Sequence, residues 1–290
     1  MRSDRDSAVT AIFGDPVGHS MSPVMHNAAY AALGMSRTYV AFRVTPANLA
    51  SALRAIPALG IVGANLTVPH KEISARIIKD LSGEARMLRA VNCVVNRRGV
   101  LHGDNTDARG LERDLRELGC DLTGRLAIVI GAGGGAAASV LACIRLGARV
   151  AIVNRRPARA MTLARRFAGK GAARAAADPR GLDALMDSAL LADARLIVNA
   201  TSMGLTTERF ARIDYDSTAD DCLFYDLIYS RDETAFLKPA IAAGRRTADG
   251  AGMLVDQGEL AFKLFNRVPP PAGVMRRALL NALGRSLIRP

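Results

Sequence analysis

Apolar and polar positions change period repeatedly along this chain, and each change marks an element. Ala8 to Phe13 is a short apolar run stopped at Gly14-Asp15-Pro16, and Pro23 to Leu33 then repeats with helical spacing up to Gly34. Thr38 to Val44 alternates as a strand does, Ala47 to Ile56 is helical, and Gly60 to Val68 is a strand closed by Pro69. Lys71 to Leu81 reads as one amphipathic helix, whereas Val91 to Asn96 and Val100 to His102 read as strands around the turn Arg97-Arg98-Gly99. Strand and helix in alternation predict an α/β layer structure.

A helix over Thr106 to Leu118, ended by Gly119, delivers the chain to the apolar run Leu126 to Ile130, and the domain border falls here. Arg149 to Asn154, Leu196 to Asn199 and Cys222 to Leu227 follow as strands, interleaved with helices over Arg159 to Phe167 and Ala235 to Ala243. Such interleaving implies a parallel, doubly wound sheet. Gly169 to Ala192, rich in Ala, Arg and Asp, is expected to hold one more strand and helix. Met253 to Phe265 and Ala272 to Leu287 read as helices around Pro269-Pro270-Pro271; periodicity does not say which domain they cover.

Composition narrows the classes. A length of 290 residues fits two domains, and no apolar run is long enough to span a membrane. The start, MRSDRDSAVTAIFGD, lacks the apolar core of a secretory signal, so a cytoplasmic location is expected. Cys93, Cys120, Cys143 and Cys222 lie far apart and fit free, mostly buried thiols; with the four histidines also lacking ligand spacing, no metal site is expected. The net charge of +12 favours anionic partners. Its arginines are scattered and not interleaved with aromatics, so solvated helix faces account for most of the charge; the anionic partners left open are phosphorylated cofactors, carboxylate substrates and, with weaker support, nucleic acid.

The sharpest local signal is Gly131-Ala132-Gly133-Gly134-Gly135-Ala136, directly after the apolar strand and before a helix. Gly131 suits a sharp turn, Gly133 leaves room for a pyrophosphate, and Ala136 lets the helix pack on the strand. The helix N-terminus then offers N–H groups to phosphate. The end of the next strand carries Asn154-Arg155-Arg156, 23 residues after Gly131, with Arg159 following. An NAD site usually places Asp or Glu there; guanidinium groups suit a 2′-phosphate, so NADP is the expected cofactor.

Three further polar groups sit between strands and helices. Ser20 and Ser22, two residues apart, point the same way in an extended segment and suit a carboxylate, although Ser22 before Pro23 also reads as a helix N-cap. In Asn65-Leu66-Thr67-Val68-Pro69-His70-Lys71, Lys71 is a candidate acid or base and also an ordinary helix-start lysine, while His70 reads as a structural or rim residue. In Gly103-Asp104-Asn105-Thr106-Asp107, Asp104 and Thr106 have ordinary roles as turn and cap residues, and Asp107 is a carboxylate able to pair with a lysine.

Taken in order, GDPVGHSMSPVMHN (14–27), NLTVPHK (65–71), AVN (90–92), GDNTD (103–107), GAGGGA, NRR, NATSMG (199–204) and DGAGMLVDQ (249–257) make the chain resemble the shikimate dehydrogenase family over nearly its whole length. The resemblance implies a substrate-binding and catalytic α/β domain over 1–106, a Rossmann-like NADP domain over 107–249, and C-terminal helices over 250–290 returning to the substrate domain. It implies that Ser20 and Ser22 bind the substrate carboxylate, that Thr67, Asn92, Asp107 and Gln257 hold hydroxyls, and that Lys71 and Asp107 are the acid/base pair. Tyr229 would close over the substrate. Asn154, Arg155 and Arg159 would take the adenosine phosphate, and Thr201, Ser202, Met203 and Gly250 would lie along the cofactor. The implied reaction is the NADP-dependent interconversion of 3-dehydroshikimate and shikimate in the aromatic amino acid pathway. The implied partners are a small carboxylate substrate, no nucleic acid and no membrane, with a homodimer left open. Arg89, Cys93 and Ala108 depart from the family pattern, which keeps a paralogue acting on quinate or a related cyclic hydroxy carboxylate as the alternative, and a non-catalytic NADP-binding sensor as a third reading.

Overall fold

A computed structural model of the chain describes residues 8–168, 178–203 and 210–285. They form two compact units, 1–106 together with 254–290, and 107–253. The first contains β1 (Ala8–Gly14), β2 (Arg37–Arg43), β3 (Gly63–Leu66), β4 (Asp80–Leu81), β5 (Cys93–Arg97) and β6 (Val100–Asp104), in the order β2-β1-β3-β5-β6-β4. β1 runs parallel to β2 and β3, β3 and β6 flank β5 antiparallel, and β4 runs parallel to β6. One core is formed by Phe13, Leu49, Leu53, Ile56, Leu66 and Val94, among others. Helix Val274–Leu283 packs against helix Ser22–Ala32.

The expected helix over Lys71 to Leu81 ends at Ile77, and Asp80–Leu81 pairs with His102 and Gly103. The Asp80 carboxylate lies 2.8 Å from His102 Nδ1, so pairing with the sheet overrides a local helical period. Helix Gly83–Leu88 was not visible in the pattern; Ser82 caps it by accepting from Ala85 N–H at 3.0 Å, and one and a half turns are too few to show a period.

The second unit contains β7 (Leu126–Ile130), β8 (Arg149–Val153), β9 (Asp178–Arg180), β10 (Ala194–Asn199), β11 (Leu223–Asp226) and β12 (Arg246–Asp249), in the order β12-β11-β10-β7-β8-β9. Every pairing is parallel, giving the doubly wound sheet. Ile128, Ile130, Val153, Ile197 and Phe224 lie in its core, which explains why the central strands read as unbroken apolar runs. The two edge strands differ: Asp178–Arg180 contains Pro179, and Arg246–Asp249 is mostly polar, so neither carries a strong strand pattern. Of the segment from Gly169 to Ala192, the described part holds β9, a 3₁₀ turn over Leu182–Met186 and the start of helix Ser188–Asp193. All four cysteines are buried and free. Among the described residues, no helix is long and apolar enough to cross a membrane.

Candidate active-site residues in the two units

In the first unit the functional side chains sit where strands end. Gly14 closes β1, and a Cβ there would strike the Thr67 methyl, so glycine lets the 14–22 loop come against the end of β3. Thr67 is held by its N–H to Phe13 O at 3.0 Å. Ser22 is not the N-cap its position before Pro23 suggested. It is the first residue of helix Ser22–Ala32 and buried, and the half-buried Ser20 hydroxyl accepts its N–H at 3.3 Å. Two residues upstream, Ser20 reaches a helix-start N–H that Ser22 cannot satisfy for itself.

A polar lattice runs beside these serines across the sheet. The Tyr39 phenol, which feels the nearby Ser22 hydroxyl, donates to Asn65 Oδ1 at 2.8 Å, and Asn65 Nδ2 donates to Asn92 O at 3.0 Å. Burial pushes the Tyr39 phenol upward, so it stays a neutral donor. Asn92 then grips Thr106 twice, Nδ2 donating to Oγ1 at 2.9 Å and Oδ1 accepting the Thr106 N–H at 2.8 Å. Gln257 Oε1 lies 3.5 Å from both Asn92 Nδ2 and Thr106 Oγ1, while its Nε2 donates to Leu254 O at 2.8 Å. Thr106, read above as an ordinary cap, is therefore a member of this lattice. Lys71 opens helix Lys71–Ile77, and its carbonyl accepts Val91 N–H at 2.8 Å, which fixes it beside Asn92 in the backbone network. His70 is fully buried, with Nε2 2.7 Å from Val44 O, and has a structural place. Tyr39 was missed by the sequence reading: a tyrosine in an alternating strand carries no signal that its hydroxyl is used.

In the second unit, Gly131 has φ +128°, and a Cβ would lie 2.8 Å from Ala200 O, so only glycine turns the chain here. Gly133 precedes helix Gly134–Arg145, is exposed, and has nothing within 4 Å of a built Cβ. No side chain caps that helix start. Ala132, Gly134 and Gly135 are partly exposed around it. Asn154 is anchored by its N–H to Arg180 O at 3.1 Å and by Nδ2 to Arg156 O at 2.9 Å. Arg155 and Arg159 are exposed and, among the described residues, make no ion pair. An uncapped helix start, an open glycine and two unpaired guanidiniums fit a dinucleotide carrying an extra phosphate.

At the ends of β10 and β11 the backbone is stitched by side chains. Asn199 Oδ1 accepts both the N–H and the hydroxyl of Thr201, at 3.0 and 2.7 Å, and Thr201 Oγ1 accepts Met203 N–H at 3.1 Å. Ser202 is exposed between them; Gly204, the last residue of that motif, lies outside the described residues. Gly250 donates its N–H to Ile228 O at 3.2 Å, and a side chain there would collide with Leu227 O. Tyr229 is half-buried in the segment that follows β11. Asp107 is buried at the first position of helix Asp107–Glu117, and Asp114 on that helix accepts the Tyr225 phenol at 2.6 Å. A Cβ at Gly252 would overlap the Asp114 carboxylate, which gives this glycine of the DGAGMLVDQ stretch a packing reason.

Comparison with known proteins places this geometry. Residues 12–94 match the shikimate dehydrogenase substrate binding domain, and residues 250–280 match the shikimate 5′-dehydrogenase C-terminal domain. The chain is 42% identical to the NADP(+) shikimate dehydrogenase of Geobacter metallireducens over 96% of its own length and 97% of that protein's. It is similar to the crystal structure of Thermus thermophilus shikimate 5-dehydrogenase in complex with NADP(H) and shikimate, with TM-score 0.82, 34% identity and coverage of 95% and 99%. It is also similar to the quinate dehydrogenase of Corynebacterium glutamicum in complex with NAD, with TM-score 0.85, 29% identity and coverage of 95% and 99%.

Proposed function

We propose that this chain, which belongs to the shikimate dehydrogenase family, catalyses the reversible NADP-dependent reduction of the ring ketone of 3-dehydroshikimate to the alcohol of shikimate. Residues 1–106 with the C-terminal helices supply most of the substrate contacts, and the doubly wound unit binds the cofactor and adds Asp107 and Tyr229. The observation that carries the reading is the presence, in one chain, of the Tyr39–Asn65–Asn92–Thr106 lattice and of a glycine turn followed by arginines that, among the described residues, make no ion pair.

The roles follow from the chemistry of each group. Ser20 and Ser22 take the substrate carboxylate, and Thr67, Asn92, Asp107 and Gln257 hold the ring hydroxyls. The reduced cofactor, when bound, supplies the hydride. Lys71 Nζ–H gives its proton to the ketone oxygen as the carbonyl becomes an alcohol, and in the oxidative direction the free amine takes that proton back. Asp107 is its acid/base partner, and Tyr229 closes over the ring. Gly131 to Gly135 accommodate the pyrophosphate, Asn154, Arg155 and Arg159 hold the adenosine phosphate, and Thr201, Ser202, Met203 and Gly250 line the nicotinamide end. We place the reaction in the cytoplasm.

A second reading, oxidation of quinate, is favoured by the family departures at Arg89, Cys93 and Ala108 and by the similarity to a quinate dehydrogenase. The test is NADP reduction by the purified protein with shikimate and with quinate side by side. Turnover of shikimate in preference to quinate is expected. Absence of turnover with shikimate at saturating concentration rejects the first reading, and preference for quinate selects the second.

A further inference from the structure

The end of β11 holds a buried carboxylate to which the scheme above gives no role. Asp226 is fully buried, and each of its oxygens is engaged by a different part of the unit. Oδ1 accepts Asn199 Nδ2 at 2.9 Å and Ile228 N–H at 3.0 Å; Oδ2 accepts the Thr234 hydroxyl at 2.6 Å. Each partner leads onward to a segment assigned above to the cofactor or to its neighbourhood. Asn199 uses its other end to fix Thr201 and, through it, Met203. Ile228 accepts the Gly250 N–H with its carbonyl, and Tyr229 is the next residue. Thr234 terminates the segment that leaves β11 and accepts the Leu237 N–H at 3.3 Å.

We propose that Asp226 is a positioning residue for the cofactor, one ionised carboxylate that holds the 199–203 loop, the 227–230 segment and Gly250 in a single arrangement. This rests on the reading that the doubly wound unit binds NADP. All three bonds to Asp226 come from donors, so the ionised, acceptor-only form satisfies them all at once, whereas a proton on either oxygen displaces one. Burial opposes that ionised form and raises Asp226 to about 6, against the three donors, which lower it. Asp249, paired with Asp226 on β12, adds a like charge; Asn199 on β10 and Thr234 in the following segment are uncharged. A neutral side chain such as leucine would relieve the burial and lose the three-way tie, so a carboxylate here serves arrangement rather than stability.

The test is calorimetric titration of the full chain with NADP, comparing wild type, Asp226→Asn and Thr234→Val at pH about 7.5 and about 5. The phosphate of NADP titrates in this range equally for all three, so the quantity read is the variant to wild-type ratio of Kd. For Asp226→Asn that ratio is expected to be about 10 at the higher pH and to fall towards one at the lower, where wild type is itself protonated. Thr234→Val, which removes one of the three bonds and keeps the charge, is expected to give a ratio of about 3, and it carries the test should Asp226→Asn fail to fold. A ratio of one at the higher pH, a ratio that ignores pH, or a fall in urea stability with unchanged NADP affinity overturns the inference. A wild type that binds no NADP overturns the proposed function, and this inference with it.

Discussion

The two units place their functional groups by different means. In the doubly wound unit, topology does the placing: parallel strands β7, β8, β10 and β11 all end on one edge of the sheet, and Gly131, Asn154, Asn199 and Asp226 are at or just beyond those ends. In the first unit the sheet is mixed, and a lattice of side chains sets the positions, from Tyr39 through Asn65 to Asn92, Thr106 and Gln257. The cores differ in the same sense. His26 is buried against Tyr39, with ring centroids 4.2 Å apart, among Tyr30, Phe262 and Phe265, and burial lowers it to about 3. Asp226 is shifted up to about 6. At these two buried sites acid acts with opposite sign, His26 resisting a proton and Asp226 resisting the loss of one.

The largest expected effect separates chemistry from binding. Lys71→Ala should lower kcat for shikimate oxidation by roughly 100- to 10,000-fold, measured by steady-state NADP reduction, because it removes the proton donor and acceptor. If turnover stays within a few-fold of wild type, the acid/base role of Lys71 is wrong. Next in size, Arg155→Ala combined with Arg159→Ala should reduce kcat/KM for NADP by about 100-fold and leave that for NAD nearly unchanged, since two charge-assisted phosphate contacts are removed. Equal losses with both cofactors would mean that the arginines do not read the phosphate.

The pH contrast gives a third test. His26 has a lowered pKa, so its contribution is present above its unfolded value near 6.5 and is lost as pH falls towards 3. At full extent it is worth on the order of several kcal/mol. Asp226 has a raised pKa, so its contribution is greatest below its unfolded value of 3.8 and is lost as pH rises through about 6. Urea unfolding between these limits should show His26→Phe flattening the acid-side loss of stability and Asp226→Asn steepening it. Identical slopes in both variants would remove the contrast between the cores. The smallest effect concerns Arg89, which has φ +51° and ends helix Gly83–Leu88 in the left-handed region. Arg89→Gly should stabilise the chain by about 1 kcal/mol in the same unfolding assay, with KM for shikimate unchanged.

The same difference decides what could be read in advance. β7, β8, β10 and β11 are apolar runs ending in polar residues, so the parallel sheet, the glycine turn and the arginine pair were all visible in the sequence. Its edge strands were not, because Pro179 and the polar Arg246–Asp249 carry no buried pattern. The first unit was legible as motifs but not as geometry. Ser22 has the local pattern of a cap, but Ser20 serves the helix start, and the helix after Lys71 is shorter than its period suggests because Asp80 pairs with His102. Thr106 and Tyr39 joined the lattice only through contacts across 14 and 26 residues of sequence, which no local spacing encodes. Arg89 departs from the family pattern, and its backbone lies in the left-handed region that favours glycine, which no local spacing announces.

The proposed division of labour puts the proton donor Lys71 in the first unit and phosphate recognition by Arg155 and Arg159 in the second. It is tested most directly by equilibrium titration with NADP alone of Lys71→Ala and of the Arg155→Ala, Arg159→Ala double variant. A wild-type Kd is expected for Lys71→Ala and a Kd raised about 100-fold for the double variant. A Lys71→Ala protein that loses NADP affinity as the double variant does, or a double variant that binds NADP as tightly as wild type, would contradict it.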